Sequence, residues 1–371
     1  MRFIKLLYLF LVETGQSIWL FLTGRKKRLG GKRIMAKLIL STGNIVSGGP
    51  SIIRKPGAYR SNLELTNSLR SNFLAAQEDY AAAAAADDDD RTQDGKFHAN
   101  GDVENGAVKS NGNALLHVNT ETGGRPPVSV WTAEEDGALY VPRIDWSEAG
   151  LQEEPSQYSI TVKLFFLSSA SVDRRAQFAK EALNLVLKEL DAPAVDLLIV
   201  SFPGMSFEGD CEWEADRHNA VQGNDEEELA TWAAIEDLHR AGLAKTIGLA
   251  EFGSEKLARF LQKVQVRPTV NQINIKNCCN VPPPLTKLAK EEGIELLAHS
   301  DCTDILPEGT LRELLGQGLG GAGILADPET GVGGLKGDLA PQWVVKYTAV
   351  VRDRGVIENK GYFSSAELTE A

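Results

Sequence analysis

Residues 224–250, NDEEELATWAAIEDLHRAGLAKTIGLA, contain one complete step of a repeat. Asn224 followed three residues later by Glu227 is a helix-opening signal, because a capping side chain and a reciprocal carboxylate satisfy backbone N–H groups that have no partner in the first turn. The helix is expected to reach Arg240, with Gly242 as its C-terminal cap and Lys245–Ala250 as the strand that follows. Working outward, Val195–Val200 is a short apolar strand before this step. Ile160–Leu167 is an earlier strand, and Ser171 stands as N-cap to a helix over Val172–Leu190 whose Ala176, Ala179, Leu183, Val186, Leu187 and Leu190 share one face. Downstream come a helix at Ser254–Gln262, a strand at Val270–Ile275, a proline-started helix at Pro284–Glu292 and a strand at Ile294–Ala298. Trp343–Val351 and Arg354–Ile357 read as the closing strands. Alternating strands and helices demand parallel pairing with right-handed crossovers. No glycine-rich turn follows the first strand, which favours a (β/α)8 TIM barrel over a doubly wound sheet and directs attention to the loops after the strands' C-terminal ends.

The chain has 371 residues, 43% hydrophobic and 24% charged, a composition that fits neither a disordered chain nor a multi-span membrane protein. Its net charge of −12 lacks the clustered positive field that nucleic-acid binding needs, so nucleic acid is not an expected partner. That total hides a split: residues 1–35 carry eight basic side chains against Glu13 alone, a net of +7, leaving −19 on the rest. Leu6–Val12 and Ile18–Leu22 are apolar, but Glu13–Ser17 interrupts them well short of the roughly 20 apolar residues of a spanning helix. No stable membrane association is expected. Met35 followed by Ala36, Lys37 and the strand-like Leu38–Leu40 makes residues 1–34 read as an upstream extension that is not part of the barrel. The barrel itself is expected over 36–365, with 366–371 as a tail.

Two stretches interrupt that unit. Ala81–Pro127 passes from six alanines through four aspartates to a Gly/Asn-rich run, and it is expected to be a disordered insertion because it offers little apolar surface to offset ordering entropy. Residues 316–340 crowd glycines, and Gly316-x-Gly318-x-x-Gly321 matches a dinucleotide fingerprint in form only, since it follows a helix-like stretch where the fingerprint requires a strand. A flexible loop is expected there. The four cysteines, Cys211, Cys278, Cys279 and Cys302, contain no CxxC pair, which points to a reducing compartment. Cys278, Cys279, His299 and Cys302 all follow strand ends and have the composition of a tetrahedral zinc set. The adjacent pair lacks the usual ligand spacing, so no metal is expected and a redox-sensitive or interface role for these thiols is preferred.

The block Trp232–Leu261 with Leu238, Gly242, Ile247-Gly248, Phe252 and Leu257, followed by Val266, Pro268, Val270, Asn271 and Gln272, resembles the aldo-keto reductase signature. Asn271–Asn274, Cys278-Cys279, Val281–Pro283, Leu285, Ala289-Lys290, Leu296-Leu297 and His299, with the tail Trp343, Tyr347, Val350, Arg354-Gly355, Ile357 and Lys360–Tyr362, resembles more narrowly the regulatory-subunit family of glutamate–cysteine ligase within that superfamily. The resemblance implies an aldo-keto reductase-type barrel. In the catalytic members a tyrosine protonates the carbonyl while a lysine and an aspartate tune its acidity, and a histidine orients the substrate. Lys163 matches the lysine, whereas the histidine position is Ser201, the Ser-Asn pair that holds the cofactor carboxamide is Ala250-Glu251, and the tyrosine that stacks on nicotinamide is His299. Asp145 echoes the aspartate with no tyrosine one turn on. Lys163 and Ser201 are therefore read as vestigial and no catalytic residue is assigned. Asn271, Gln272, His299 and Lys360 remain weak candidates for cofactor binding, with residual NADP binding not favoured and no cofactor expected. The implied function is a non-catalytic, cytoplasmic regulatory subunit that forms a heterodimer with, and activates, the catalytic subunit of glutamate–cysteine ligase in glutathione biosynthesis. The alternative is an NADPH-dependent aldo-keto reductase with an altered active site. Interface candidates are Cys278, Cys279, Val281 and Cys302, on the stiff, proline-rich mouth segment 277–283 and the strand end after it.

Overall fold

The computed structural model describes residues 37–47, 60–93, 125–274 and 280–369. The proposed extension 1–34, residues 94–124 of the central insertion, and Cys278 and Cys279 lie outside the described residues. Ten strands form one sheet in the order β2-β3-β1-β10-β9-β4-β5-β6-β7-β8. Their ranges are β1 Lys37–Ser41, β2 Ala133–Glu135, β3 Ala138–Val141, β4 Tyr158–Phe166, β5 Val195–Ser201, β6 Ala244–Ala250, β7 Val270–Asn274, β8 Glu295–His299, β9 Asp338–Val351 and β10 Val356–Thr369. The helices are α1 Ser61–Gln93, α2 Val128–Trp131, α3 Val172–Glu189, α4 Glu212–Asn219, α5 Asp225–Arg240, α6 Ser254–Leu261, α7 Pro283–Glu292 and α8 Thr310–Leu315.

The half that the sequence predicts is in place: β4, β5, β6, β7 and β8 pair in parallel, with α3, α5, α6 and α7 in the crossovers. The Asn224 side chain accepts from the N–H groups of Glu226 and Glu227, as the opening signal requires. The reciprocal carboxylate is Glu228, whose Oε1 takes the Asn224 N–H at 3.1 Å, and not Glu227. Ser171 precedes α3 but makes no side-chain cap.

The end of the chain departs from the parallel series. β9 and β10 are an antiparallel hairpin inserted between β1 and β4, because the connection 352–355 is far too short for the crossover a parallel pair needs. β10 extends to Thr369, so residues 366–369 are strand and not tail: Ala366 pairs with Leu38 on one side and Pro341 on the other. α1 runs to Gln93, so residues 81–93, expected to be disordered, continue a helix; alanine is the best helix former and extends a helix already nucleated upstream. The glycine-rich segment also has more order than a flexible loop. Gln317 Nε2 donates to the carbonyls of Gly323, Leu325 and Gly333, and Arg125 donates to those of Gln317 and Gly318.

Alternation along the strands sorts side chains to two faces. On one face Val162, Leu164, Trp343, Val345, Tyr347 and Phe363 pack in one cluster with Phe178, Trp232 and Phe260 from the crossover helices and Phe252 from the loop before α6. On the other, Leu38, Leu40, Val344 and Tyr362 pack against Leu65, Leu69 and Phe73 of α1, with Trp131 and Ile305. The sheet must curl. β4 and β8 are four strands apart in the order, roughly 19 Å in a flat sheet, yet Lys163 of β4 donates to Asp301, two residues beyond β8, at 3.0 Å. Among the described residues no helix is long and apolar enough to cross a membrane.

One packing contact is pH-sensitive. Glu189, the last residue of α3, is pushed up to about 7, first by burial, while the Tyr347 hydroxyl 3.4 Å away opposes the shift. Because the folded value exceeds the unfolded one, the native state holds an extra proton; its contribution is complete below about pH 4.5 and is lost as pH rises through 7. Glu189→Gln is therefore expected to exceed the wild type in stability by roughly 1–3 kcal/mol above pH 8 and to match it near pH 4. Urea midpoints of both proteins across this range test it, and parallel curves would refute it.

Candidate functional site

The C-terminal ends of the parallel strands carry a buried charged cluster. Lys163 points inward from β4 and Lys346 from β9, and the two stand directly opposite one another in the antiparallel ladder. Asp301 bridges them, its Oδ2 3.0 Å from Lys163 Nζ and its Oδ1 2.8 Å from Lys346 Nζ. Lys163 and Asp301 have 5% and 9% of their side chains exposed, so neither charge is left to water. Burial alone would raise the Asp301 carboxyl, but the two ammonium groups hold it well below the usual carboxylate range. Burial pushes Lys163 down, and Asp301 opposes that shift.

His299 at the end of β8 joins the same cluster. Its Nδ1 accepts the Asp301 N–H at 3.1 Å and lies 3.4 Å from Lys163 Nζ, which assigns Nδ1 as the acceptor and places the ring proton of the neutral form on Nε2. Nε2 is 2.6 Å from Glu251 Oε1, although the angle is too poor for a hydrogen bond. Glu251 is buried with φ +65°, a conformation that costs a residue with a Cβ about 1–2 kcal/mol. It is held there from several sides: its N–H donates to Gln272 O at 2.7 Å, Asn219 Nδ2 donates to its carbonyl at 2.6 Å, and the Asn274 N–H reaches its carboxylate at 3.3 Å. Asn219 belongs to α4, which the sequence reading missed because eight polar-rich residues show too little apolar periodicity. The same helix supplies Asp216, which accepts the Ser254 N–H and hydroxyl at the start of α6.

The remaining predicted residues separate. Asn271 is fully buried and exchanges hydrogen bonds with the Phe252 backbone, donating to its carbonyl at 2.7 Å. Lys360 is ion-paired with Glu64 of α1 at 2.6 Å. Gln272 Oε1 is buried without a hydrogen-bond partner among the described residues. Ser201 lines an open cleft at the mouth, and Asp145 is exposed, taking the N–H and hydroxyl of Ser147. Val281 is half-buried against the larger core, and the Cys302 thiol donates to Asn62 Oδ1 at 3.2 Å. Among the described residues no group of three or more potential ligands could hold a metal ion.

β10 brings in a tyrosine that the sequence reading did not place at this end. The Tyr362 hydroxyl donates to Glu64 Oε1 at 2.6 Å, and burial, with Glu64 next in size, raises it well above its ordinary value. A proton donor for carbonyl reduction needs the opposite shift. A dinucleotide fits this donor set poorly: Lys360 is already paired, Glu251 adds a negative charge, and among the candidate residues Gln272 Oε1 and His299 Nε2 are left without a hydrogen bond to the described residues.

Residues 146–312 match the sequence model of the aldo/keto reductase family. That match covers less than half of the chain, whose mixed α/β sheet is similar in this span to chains of aldo-keto reductase type. The chain is also similar over 343 residues, at 28% identity, to a putative glutamate–cysteine ligase regulatory subunit of Schizosaccharomyces pombe, covering 90% of this chain and 97% of that protein. It is 26% identical over 215 residues to the glutamate–cysteine ligase regulatory subunit of Mus musculus, covering 58% of this chain and 68% of that one. Among solved structures, an aldo-keto reductase of Bombyx mori in complex with NADP aligns at 26% identity with a TM-score of 0.28, over 38% of this chain and 40% of that chain, less than half of either.

The cluster predicts an asymmetry. Asp301→Asn leaves two facing ammonium groups without a counter-charge and is expected to cost about 3–5 kcal/mol. Lys163→Met keeps Asp301 paired with Lys346 and replaces a desolvated ammonium by an apolar chain, so its cost is expected below about 2 kcal/mol. Denaturant unfolding of both variants measures the difference, and equal losses would contradict the bridging role of Asp301.

Proposed function

We propose that this chain is a non-catalytic regulatory subunit that binds and activates the catalytic subunit of glutamate–cysteine ligase, acts in the cytoplasm, and requires neither cofactor nor metal. The observation that carries this reading is similarity along nearly the whole chain to a protein named a putative glutamate–cysteine ligase regulatory subunit. The chemistry of the mouth supports it. Lys163, the one residue matching a reductase tetrad, is committed to Asp301, the tyrosine brought nearby donates a hydrogen bond to Glu64 and holds its proton tightly, and Ser201 stands where a histidine would orient a substrate. Activation requires that the subunit bind one conformation of its partner more tightly than another, since equal affinity shifts no equilibrium.

Retention of Lys163 and the match over 146–312 favour the second reading, an NADPH-dependent reductase. Two assays on the purified chain separate them. With NADPH and a panel of aldehydes, no cofactor consumption is expected. With the catalytic subunit, ligase activity at limiting glutamate is expected to rise by roughly 5- to 150-fold, the span of ordinary coupling energies. Lys163→Met should preserve that activation, whereas a reductase would lose its turnover. Aldehyde-dependent NADPH oxidation abolished by Lys163→Met would reject the regulatory reading. Cys278 and Cys279 remain proposed contacts of the partner. Val281 is a poorer probe, because a charge there would disturb the core it packs against.

A further inference from the structure

The mouth opens beside the charged cluster into a cleft of about 630 Å3, between the ends of β4 and β5 and the segments 303–312 and 338–341. Its floor is apolar, with Phe165, Phe166, Phe202, Ile305 and Leu306 all buried. Its rim is acidic. Asp304, Glu308 and Asp338 are exposed there, and a second cavity of about 340 Å3 shares Thr303, Asp304 and Pro307 with the first and adds Glu208, which accepts the Thr303 hydroxyl at 2.9 Å. Arg312 is the cation of the rim. It pairs with Asp338 at 3.2 Å and donates to the carbonyls of Ala326 and Gly337, which neutralises Asp338 and no more. Glu208, Asp304 and Glu308 have no ion-pair partner among the described residues, so two uncompensated carboxylates stand on the rim of the apolar floor and a third lines the adjoining cavity.

We propose that this cleft receives a segment of the partner protein that inserts one large apolar side chain and flanks it with lysine or arginine. The proposal rests on the regulatory reading above and adds the place and chemistry of contact. The two halves of the site select the occupant together. A dinucleotide, a nucleic acid or an anionic lipid would meet the carboxylates of Asp304 and Glu308, with Glu208 beside them, while a small free cation would make no contact with the apolar floor. A basic polypeptide segment uses both, and the volume suits one or two side chains, too little for a whole helix. The wall is preformed, because Ile305, Leu306 and Leu311 are anchored in the inner core, so little ordering entropy is spent on binding. Complementary rim charges act chiefly on encounter rate and salt dependence, while the apolar anchor governs residence time.

Association of the full chain with the purified catalytic subunit, followed by biolayer interferometry across a salt series, tests the proposal. The double variant D304K/E308K is expected to bind about tenfold more weakly or worse at low ionic strength and to lose most of the salt dependence, with D304N/E308Q intermediate. E329K, an exposed reversal in the glycine-rich segment, should bind as the wild type does. Unfolding midpoints of all variants report on the fold. Wild-type affinity and salt slope in a folded D304K/E308K protein would overturn the docking site and leave the regulatory reading intact. Failure of the unmodified chain to bind the catalytic subunit would overturn both. Equal losses in E329K would reduce the effect to net charge and overturn the assignment to the cleft.

Discussion

Lys163 and Lys346 face one another across neighbouring antiparallel strands, a pairing that is destabilising unless an anion intervenes. Asp301 is that anion, and it comes from beyond β8, at the far end of the parallel run. The ion bridge therefore forms only when the sheet curls enough to bring β8 back toward β4 and β9. Removing the carboxylate would leave two cations in a water-poor site, whereas uncurling the sheet would separate all three groups. The geometry of the mouth follows from this closure, since His299, Glu251 and the segment 303–312 are all positioned relative to Asp301.

The charges at this end balance in kind. Lys163, Lys346 and Lys360 are matched by Asp301 and Glu64, while Glu251 lies against His299. Buried ion pairs of this sort add little net stability compared with apolar packing, because desolvation cancels much of their attraction. What they do provide is a defined arrangement in which lysine, histidine and tyrosine are each engaged by a group of the same chain. A reductase needs its lysine and tyrosine poised on one another with a depressed phenol. Here the tyrosine is tied to Glu64 of α1 and its proton is held more tightly. The strained Glu251 backbone is supported by α4 through Asn219, which fixes this side of the mouth.

The local sequence determined a good deal. Apolar alternation and helical periodicity located β4 to β8 and the crossover helices to within a residue or two, and Asn224 marked a helix start that its side chain does cap. The family resemblance singled out Lys163 and Ser201, on β4 and β5, and Asn271 and His299, on β7 and β8. These features are legible because they depend on neighbours within a few residues or on a pattern shared with relatives.

Only the tertiary structure decided the rest, and the physical reason is the same each time: the partner is distant in sequence. β9 and β10 look like any closing strands until their short connection forces them antiparallel between β1 and β4. Lys346 alternates inward on an apolar strand, yet its meaning depends on Asp301, 45 residues away. Lys360 reads as a phosphate ligand until Glu64, 296 residues earlier, is found beside it. The alanine run reads as unstructured by its low apolar content, but a helix nucleated and docked upstream carries it forward. The chain specified its elements through local pattern, while the pairing of charges that gives the mouth its character depended on a sheet curl that no short stretch encodes.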